Sequence, residues 1–186
     1  MKFKFLLSIW VTLMISTTNA KTHSPMSQDE AKIRSTIYSF SALADQNAFA
    51  HLGRLFAPTI TLDYRAIFGG EPSVATPQSL MQQWAGFLPG FDTTYHELSN
   101  LNVVTKDDSA MVGVDFIARH WHGDNGFWAV SGRYHFALEK VADNWLINRL
   151  TVSNVSESGS RDVLGTVGKD AIANLKARDK RLVVVE

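Results

Sequence analysis

Between Thr94 and Val155 the chain offers four long strand candidates, Thr94–Thr105, Ala110–Trp121, Phe127–Lys140 and Trp145–Val155. Only Lys106-Asp107-Asp108, Gly123-Asp124-Asn125-Gly126 and Ala142-Asp143-Asn144 separate them, and these are turn compositions. Helical patterns come first and these consecutive strands follow, so the expected class is α+β, a layered domain with an antiparallel sheet.

The helices are read from spacing. Ser27-Gln28-Asp29-Glu30 has the capping-box pattern, in which the serine hydroxyl and the glutamate carboxylate satisfy each other's backbone donors. Ile33, Ile37, Phe40 and Ala44 then recur on one helical face, and Asp45-Gln46-Asn47 breaks it before a second short helix carrying Phe49, Leu52, Leu55 and Phe56. After Pro58 the period becomes two: Ile60, Leu62 and Tyr64 share one strand face, Thr59, Thr61 and Asp63 the other. Gly69-Gly70-Glu71-Pro72 stops that strand, and Pro77 to Leu88 reads as a further helix. Beyond Gly159 the pattern loosens, with a possible last helix from Asp170 to Lys180 and an apolar ending, Leu182-Val183-Val184-Val185.

Three segments are expected: a signal peptide over residues 1–20, one domain over about residues 27–157, and a C-terminal tail over residues 158–186. Met1-Lys2-Phe3-Lys4, the apolar run Phe5 to Ile15 and the small residues up to Ala20 have the three regions of a secretory signal. Cleavage after Ala20 would make the protein periplasmic or secreted. No later stretch approaches the ~20 apolar residues of a membrane span, so no stable span is expected after signal removal. Loss of Lys2 and Lys4 leaves 16 basic and 18 acidic residues, a net charge of −2, with the signs interspersed. That gives no basic stripe for nucleic acid. The chain has no cysteine, which excludes disulfides, iron–sulfur clusters and thiolate zinc sites.

Several residues are placed to carry chemistry. Asp45 sits at a helix end, where a carboxylate meets the negative end of the dipole. The bland reading is a turn residue beside Gln46 and Asn47. His96 lies in the first long strand with Leu98 and Asn100 on one face and Tyr95, Glu97 and Leu101 on the other, and either face could point inward. His120 shares an otherwise apolar row with Val114, Phe116 and Ala118, which makes it buried or pocket-lining. His120-Trp121-His122 is also a His-x-His pair, but a catalytic metal would want a third ligand and an open position. No metal and no other cofactor is expected. Nucleophile elbows, phosphate-binding glycine loops and dinucleotide fingerprints are absent. Asn154-Val155-Ser156 forms a glycosylation sequon, relevant only in a eukaryotic secretory host.

The pieces Leu43-Ala44-Asp45, Ala57 to Arg65, Thr94 to Asn100 and Ser131-Gly132-Arg133-Tyr134 stand in an order that resembles the SnoaL-like branch of the NTF2-like superfamily. Within that branch the order is similar to scytalone dehydratase and its bacterial relatives, including dehydrochlorinases. The resemblance implies a curved sheet, antiparallel or mixed, wrapped around N-terminal helices as a cone with one open mouth. It implies that Asp45 holds His96 in a fixed tautomer, within about 2.6–3.2 Å. It also implies that His120 is a second catalytic imidazole and that Tyr64, Tyr134 and Asn154 bind substrate. One departure stands out: the tyrosine that precedes the aspartate in the dehydratase is Ala44 here.

The expected function is thus a cofactor-independent lyase or isomerase, dehydratase-like, acting on a small apolar and cyclic molecule. An imidazole can take a proton and return it near neutrality. His96 would be the base, while His120 and Tyr64 polarise the activating group or protonate the leaving hydroxyl. The alternative is a non-catalytic cone that holds a small hydrophobic ligand, because fold alone does not decide between them. The expected partners are a small-molecule substrate and further copies of the chain, as a dimer or trimer.

Overall fold

The computed structural model describes residues 26–182 except Asn125. The signal segment and the apolar ending Val183–Val185 lie outside the described residues.

Helix α1 (Gln28–Asp45) starts where the Ser27 hydroxyl accepts the Glu30 N–H at 3.1 Å. The reciprocal half of the expected capping box is not made. Glu30 instead turns along the helix to accept from Arg34 one turn later, at 2.9 Å, because an i,i+4 guanidinium offers a charged partner. Ile33, Ile37, Phe40 and Ala44 are all buried on the face that packs into the sheet, as their spacing predicts. Asn47, with φ of 53°, reverses the chain into the four-residue helix α2 (Phe49–Leu52).

Strand β1 (Phe56–Asp63) buries Ile60 and Leu62 on one face. The expected continuation through Tyr64 is wrong by one residue: the strand stops at Asp63, whose carboxylate takes the Arg65 N–H and guanidinium and folds the chain into α3 (Arg65–Phe68). A short edge strand, β2 (Ser73–Ala75), which the sequence reading missed, then pairs antiparallel with β1. Helix α4 (Pro77–Ala85) has the reciprocal capping box that α1 lacks, with Thr76 and Ser79 side chains satisfying each other's backbone N–H groups.

The four long strands are β3 (Thr93–Lys106), β4 (Ser109–His122), β5 (Gly126–Val141) and β6 (Asn144–Gly159), joined as an antiparallel meander. Among the described residues the sheet has six strands in the order β2-β1-β6-β5-β4-β3, and its β1–β6 pair is parallel, so it is mixed. Sequence gave no sign of this pairing, because β1 and β6 are joined only through the whole intervening meander. Register shifts interrupt the ladders between Ser99 and Asn102, Ser131 and Arg133, and Ala137 and Leu138. Bulges bend and twist a strand, and these curve the open sheet over the helices. Asn100 and Asn154 sit at two of them with φ near 50°, a left-handed conformation that asparagine tolerates.

The C-terminal segment is a fifth helix, α5 (Leu164–Leu182), which begins well before the expected Asp170. Val163 just before it and Val167 and Ala171 on its inner face are buried, whereas Ile172 is exposed. The contact surface is set by Gly90, just before β3: a Cβ there would stand 1.9 Å from the Val167 carbonyl oxygen, so only glycine lets the helix lie this close. Asn174 adds a hydrogen bond to the Pro89 carbonyl, 2.9 Å.

Candidate active site

Inside the curve of the sheet lies a cavity of about 460 Å³. Its walls are largely aromatic. Phe40 from α1 meets Trp84, Tyr134 and Phe136 edge-on at 5.2–6.0 Å, while Phe116 and Tyr134 stack at 3.8 Å. Such offset and edge contacts lock ring positions beyond what burial alone supplies.

Asp45 and His96 meet at the edge of this cavity. The Asp45 carboxylate accepts three hydrogen bonds: from the His96 ring Nδ1–H at 2.6 Å, the His96 backbone N–H at 2.8 Å and the Thr94 hydroxyl at 2.9 Å. Three donors resolve the awkwardness of a carboxylate at a helix C-terminus, and they explain its placement there. Burial pushes the Asp45 carboxyl up, but the His96 hydrogen bond and charge, with the His96 and Thr94 donors, outweigh it and hold the group below the usual carboxylate range. An ionised carboxylate only accepts, so the His96 proton sits on Nδ1 and Nε2 keeps its lone pair. His96 lines the cavity while Asp45 stands behind it, facing a separate cleft.

The face of β3 that carries His96 is settled by the bulge. Thr94, His96 and Leu98 point inward, but the irregularity at Ser99–Asn102 shifts the alternation, so Leu101 packs on the core and Asn100 turns out to bond Asp115. Asn100, which simple alternation sets on the His96 face, is therefore not brought to the site.

His120 is buried in the inward row of β4, as its spacing predicts, with its ring stacked on Trp128 at 4.7 Å and 6.1 Å from the His96 ring. Its Nδ1–H donates to the Trp128 carbonyl at 3.2 Å. Burial, then the neighbouring His96, push the His120 imidazole down to about 4. At neutral pH it is uncharged, and its Nε2 can accept a hydrogen bond but has no proton to give.

Tyr64 and Tyr134 both line the cavity, and burial raises both phenols above their ordinary value. Neither hydroxyl has a hydrogen-bond partner among the described residues, nor is it sealed from the cavity as an orphaned buried atom. Each can donate to a bound oxygen. Asn154 requires a correction: at its bulge on β6 it is exposed and outside the cavity wall, because the extra residue there turns its side chain away. Other lining residues are not candidates on sequence grounds. Trp84 from α4 and Trp128 from β5 contribute the broadest rings, and a search for aromatics on the inward faces would have found both. The His120-Trp121-His122 pair does not converge: His122 lies toward Asp170 of α5, 4.0 Å away, and among the described residues no three potential ligands gather.

A curved, unclosed mixed sheet with helices in its concavity is an NTF2-like α+β fold. More specifically, the chain belongs to the SnoaL-like domain family, whose profile matches residues 25–151. Among solved structures it is similar to the Kfla4162 protein from Kribbella flavida, with 25% identity, a TM-score of 0.63, and coverage of 69% of this chain and 93% of that one. A candidate scytalone dehydratase from Novosphingobium aromaticivorans gives 19% identity and a TM-score of 0.62, covering 72% of this chain and 88% of the other. A hexachlorocyclohexane dehydrochlorinase, LinA Type2, gives 14% identity and a TM-score of 0.60, covering 71% and 90%. No curated protein matches the chain.

Proposed function

We propose that this protein is a cofactor-independent lyase or isomerase in which His96, oriented by Asp45, removes a proton from carbon next to a carbonyl. The observation that carries the reading is the 2.6 Å Asp45–His96 bond with the imidazole turned into the cavity and the carboxylate behind it. Tyr64 and Tyr134 donate to the carbonyl oxygen as charge builds on it. His120 accepts from a substrate hydroxyl rather than protonating it, since its one proton is committed to Trp128. The leaving hydroxyl then takes its proton from His96 itself, once that imidazole has been charged by the first step. Among the described residues no lysine or arginine lines the cavity, which argues against an anionic substrate, and the largely aromatic wall suits an uncharged one: a small cyclic hydroxy ketone that loses water.

A dehydrochlorinase and a candidate dehydratase among the structural relatives support elimination chemistry on this fold. The binding reading draws on Ala44, which lines the wall where the dehydratase pattern has a tyrosine and so leaves room without a hydroxyl. Residues 1–20 support export, and the exposed Tyr95, Met111 and Trp121 on the outer face of β3 and β4 support self-association.

The test is turnover of a panel of uncharged cyclic β-hydroxy ketones, followed by the ultraviolet absorbance of the conjugated product. His96→Ala and Asp45→Asn should each cost on the order of a hundredfold or more, and the double variant little beyond His96→Ala, because an absent imidazole leaves nothing to orient. A folded His96→Ala protein with full activity would sink the acid–base role and leave the binding cone as the better account.

A further inference from the structure

The segment from Tyr64 to Ser73 forms one rim of the cavity, contributing Tyr64, Ile67, Phe68, Gly69, Glu71 and Ser73 to its lining. Ile67 is buried in the core and Tyr64 packs against it, but the backbone of the segment is held by few bonds. It consists of the four-residue α3, then Gly69 and Gly70 with φ of 71° and 78° and open space around both Cα positions, then three residue pairs between β2 and β1. Phe68, at the rim, is 55% exposed.

One side chain from far along the chain fastens this rim. Arg161, in the turn after β6, donates Nη2–H to the Ile67 carbonyl at 2.9 Å and Nη1–H to Glu157 Oε1 at 2.8 Å. Its guanidinium also lies over the Phe68 ring at 5.7 Å and the Trp128 ring at 6.0 Å. The other oxygen of Glu157 accepts from Trp128 Nε1 at 2.9 Å, and Trp128 is the residue that stacks on His120 and takes its Nδ1–H. A planar, multiply donating guanidinium suits such a junction, where a lysine would serve only one acceptor at a time.

We propose that Arg161 is a positioning residue that latches the 64–73 rim over the cavity and, through Glu157 and Trp128, holds the His120 ring in place. The rim is a lid whose hinge is Gly69-Gly70 and whose catch is the Arg161–Ile67 bond. A ligand passes when the catch opens, and opening the catch frees Trp128. The proposal rests on the cavity being the ligand site, but not on turnover, so it can fail while the acid–base reading stands, and the reverse.

The test compares wild type, Arg161→Ala and Arg161→Lys by hydrogen exchange and by histidine nitrogen NMR. In Arg161→Ala the amides of Ile67, Phe68 and Gly69, which close α3, should exchange about tenfold faster, as expected for loss of a charged hydrogen bond, with Arg161→Lys between. Amides of β4 and β5 should be unchanged, which separates a latch from general destabilisation. The His120 ring resonances should move in Arg161→Ala. Release of N-phenyl-1-naphthylamine, an uncharged aromatic probe, should quicken by a similar factor in stopped flow. Unchanged rim exchange, a uniform rise across the sheet, unmoved His120 resonances, or a wild-type protein that does not hold the probe would each overturn the proposal.

Discussion

Acid should destabilise this protein through one buried histidine, His120. The His120 imidazole falls from 6.5 to about 4 on folding. A group held neutral in the fold binds its proton more readily unfolded, so stability rises with pH between the folded and unfolded values. The sign follows: the His120 contribution is complete above about 6.5, is lost as pH falls toward about 4, and is flat below. The full shift corresponds to about 3 kcal/mol, and moving from about pH 7 to about pH 4.5 samples about 2 kcal/mol of it. Asp45 and the surface carboxyls Asp29, Asp63, Asp115 and Asp143 are all held below 3.8, so their contributions are lost only at more acid pH. Urea unfolding across this window, on wild type and on His120→Phe, isolates the effect, because phenylalanine keeps the stacking on Trp128 and Phe91 but carries no proton. The wild type should lose about 2 kcal/mol more than the variant between the two pH values. Parallel losses would refute the reasoning and mean that His120 is solvated or charged in the folded protein.

Gly90→Ala should destabilise by about 3 kcal/mol, measured by urea unfolding, and should expose α5 to proteolysis, since the added Cβ collides with backbone rather than with a side chain that can move. An unchanged midpoint would show that α5 docks more loosely than described. Tyr134→Phe should leave stability within about 0.5 kcal/mol, because the hydroxyl has no partner among the described residues, yet reduce turnover of a ketone substrate by about tenfold or more. A large stability loss with intact turnover would place that hydroxyl in the core's own bonding instead of at the substrate.

Period and punctuation in the sequence were enough to locate most elements. The inward row Val114, Phe116, Ala118 and His120 could be read directly, because β4 runs without a bulge through it and alternation then fixes every face. The α1 face Ile33, Ile37, Phe40 and Ala44 was legible for the same reason at helical period. The family order of Asp45, Tyr64, His96 and His120 pointed to one pocket, and the helix-end position of Asp45 signalled a carboxylate that needed donors from elsewhere.

What tertiary structure alone decided lies where local rules were interrupted. The bulges at Ser99–Asn102 and at Asn154 each add a residue, and one extra residue exchanges inside for outside; Asn100 and Asn154 left the site for that reason. The parallel β1–β6 pair and the seat of α5 on Gly90 join segments too distant in the chain for any local pattern to record. The protonation of His120 depends on a carbonyl eight residues away and on the apolar rings around it, so its role as acceptor rather than acid could not be read from a histidine on an apolar strand. Sequence determined which side chains were available and roughly which way each strand and helix would turn them. The fold determined their surroundings, and hydrogen-bond partners and burial are what set the chemistry of an imidazole.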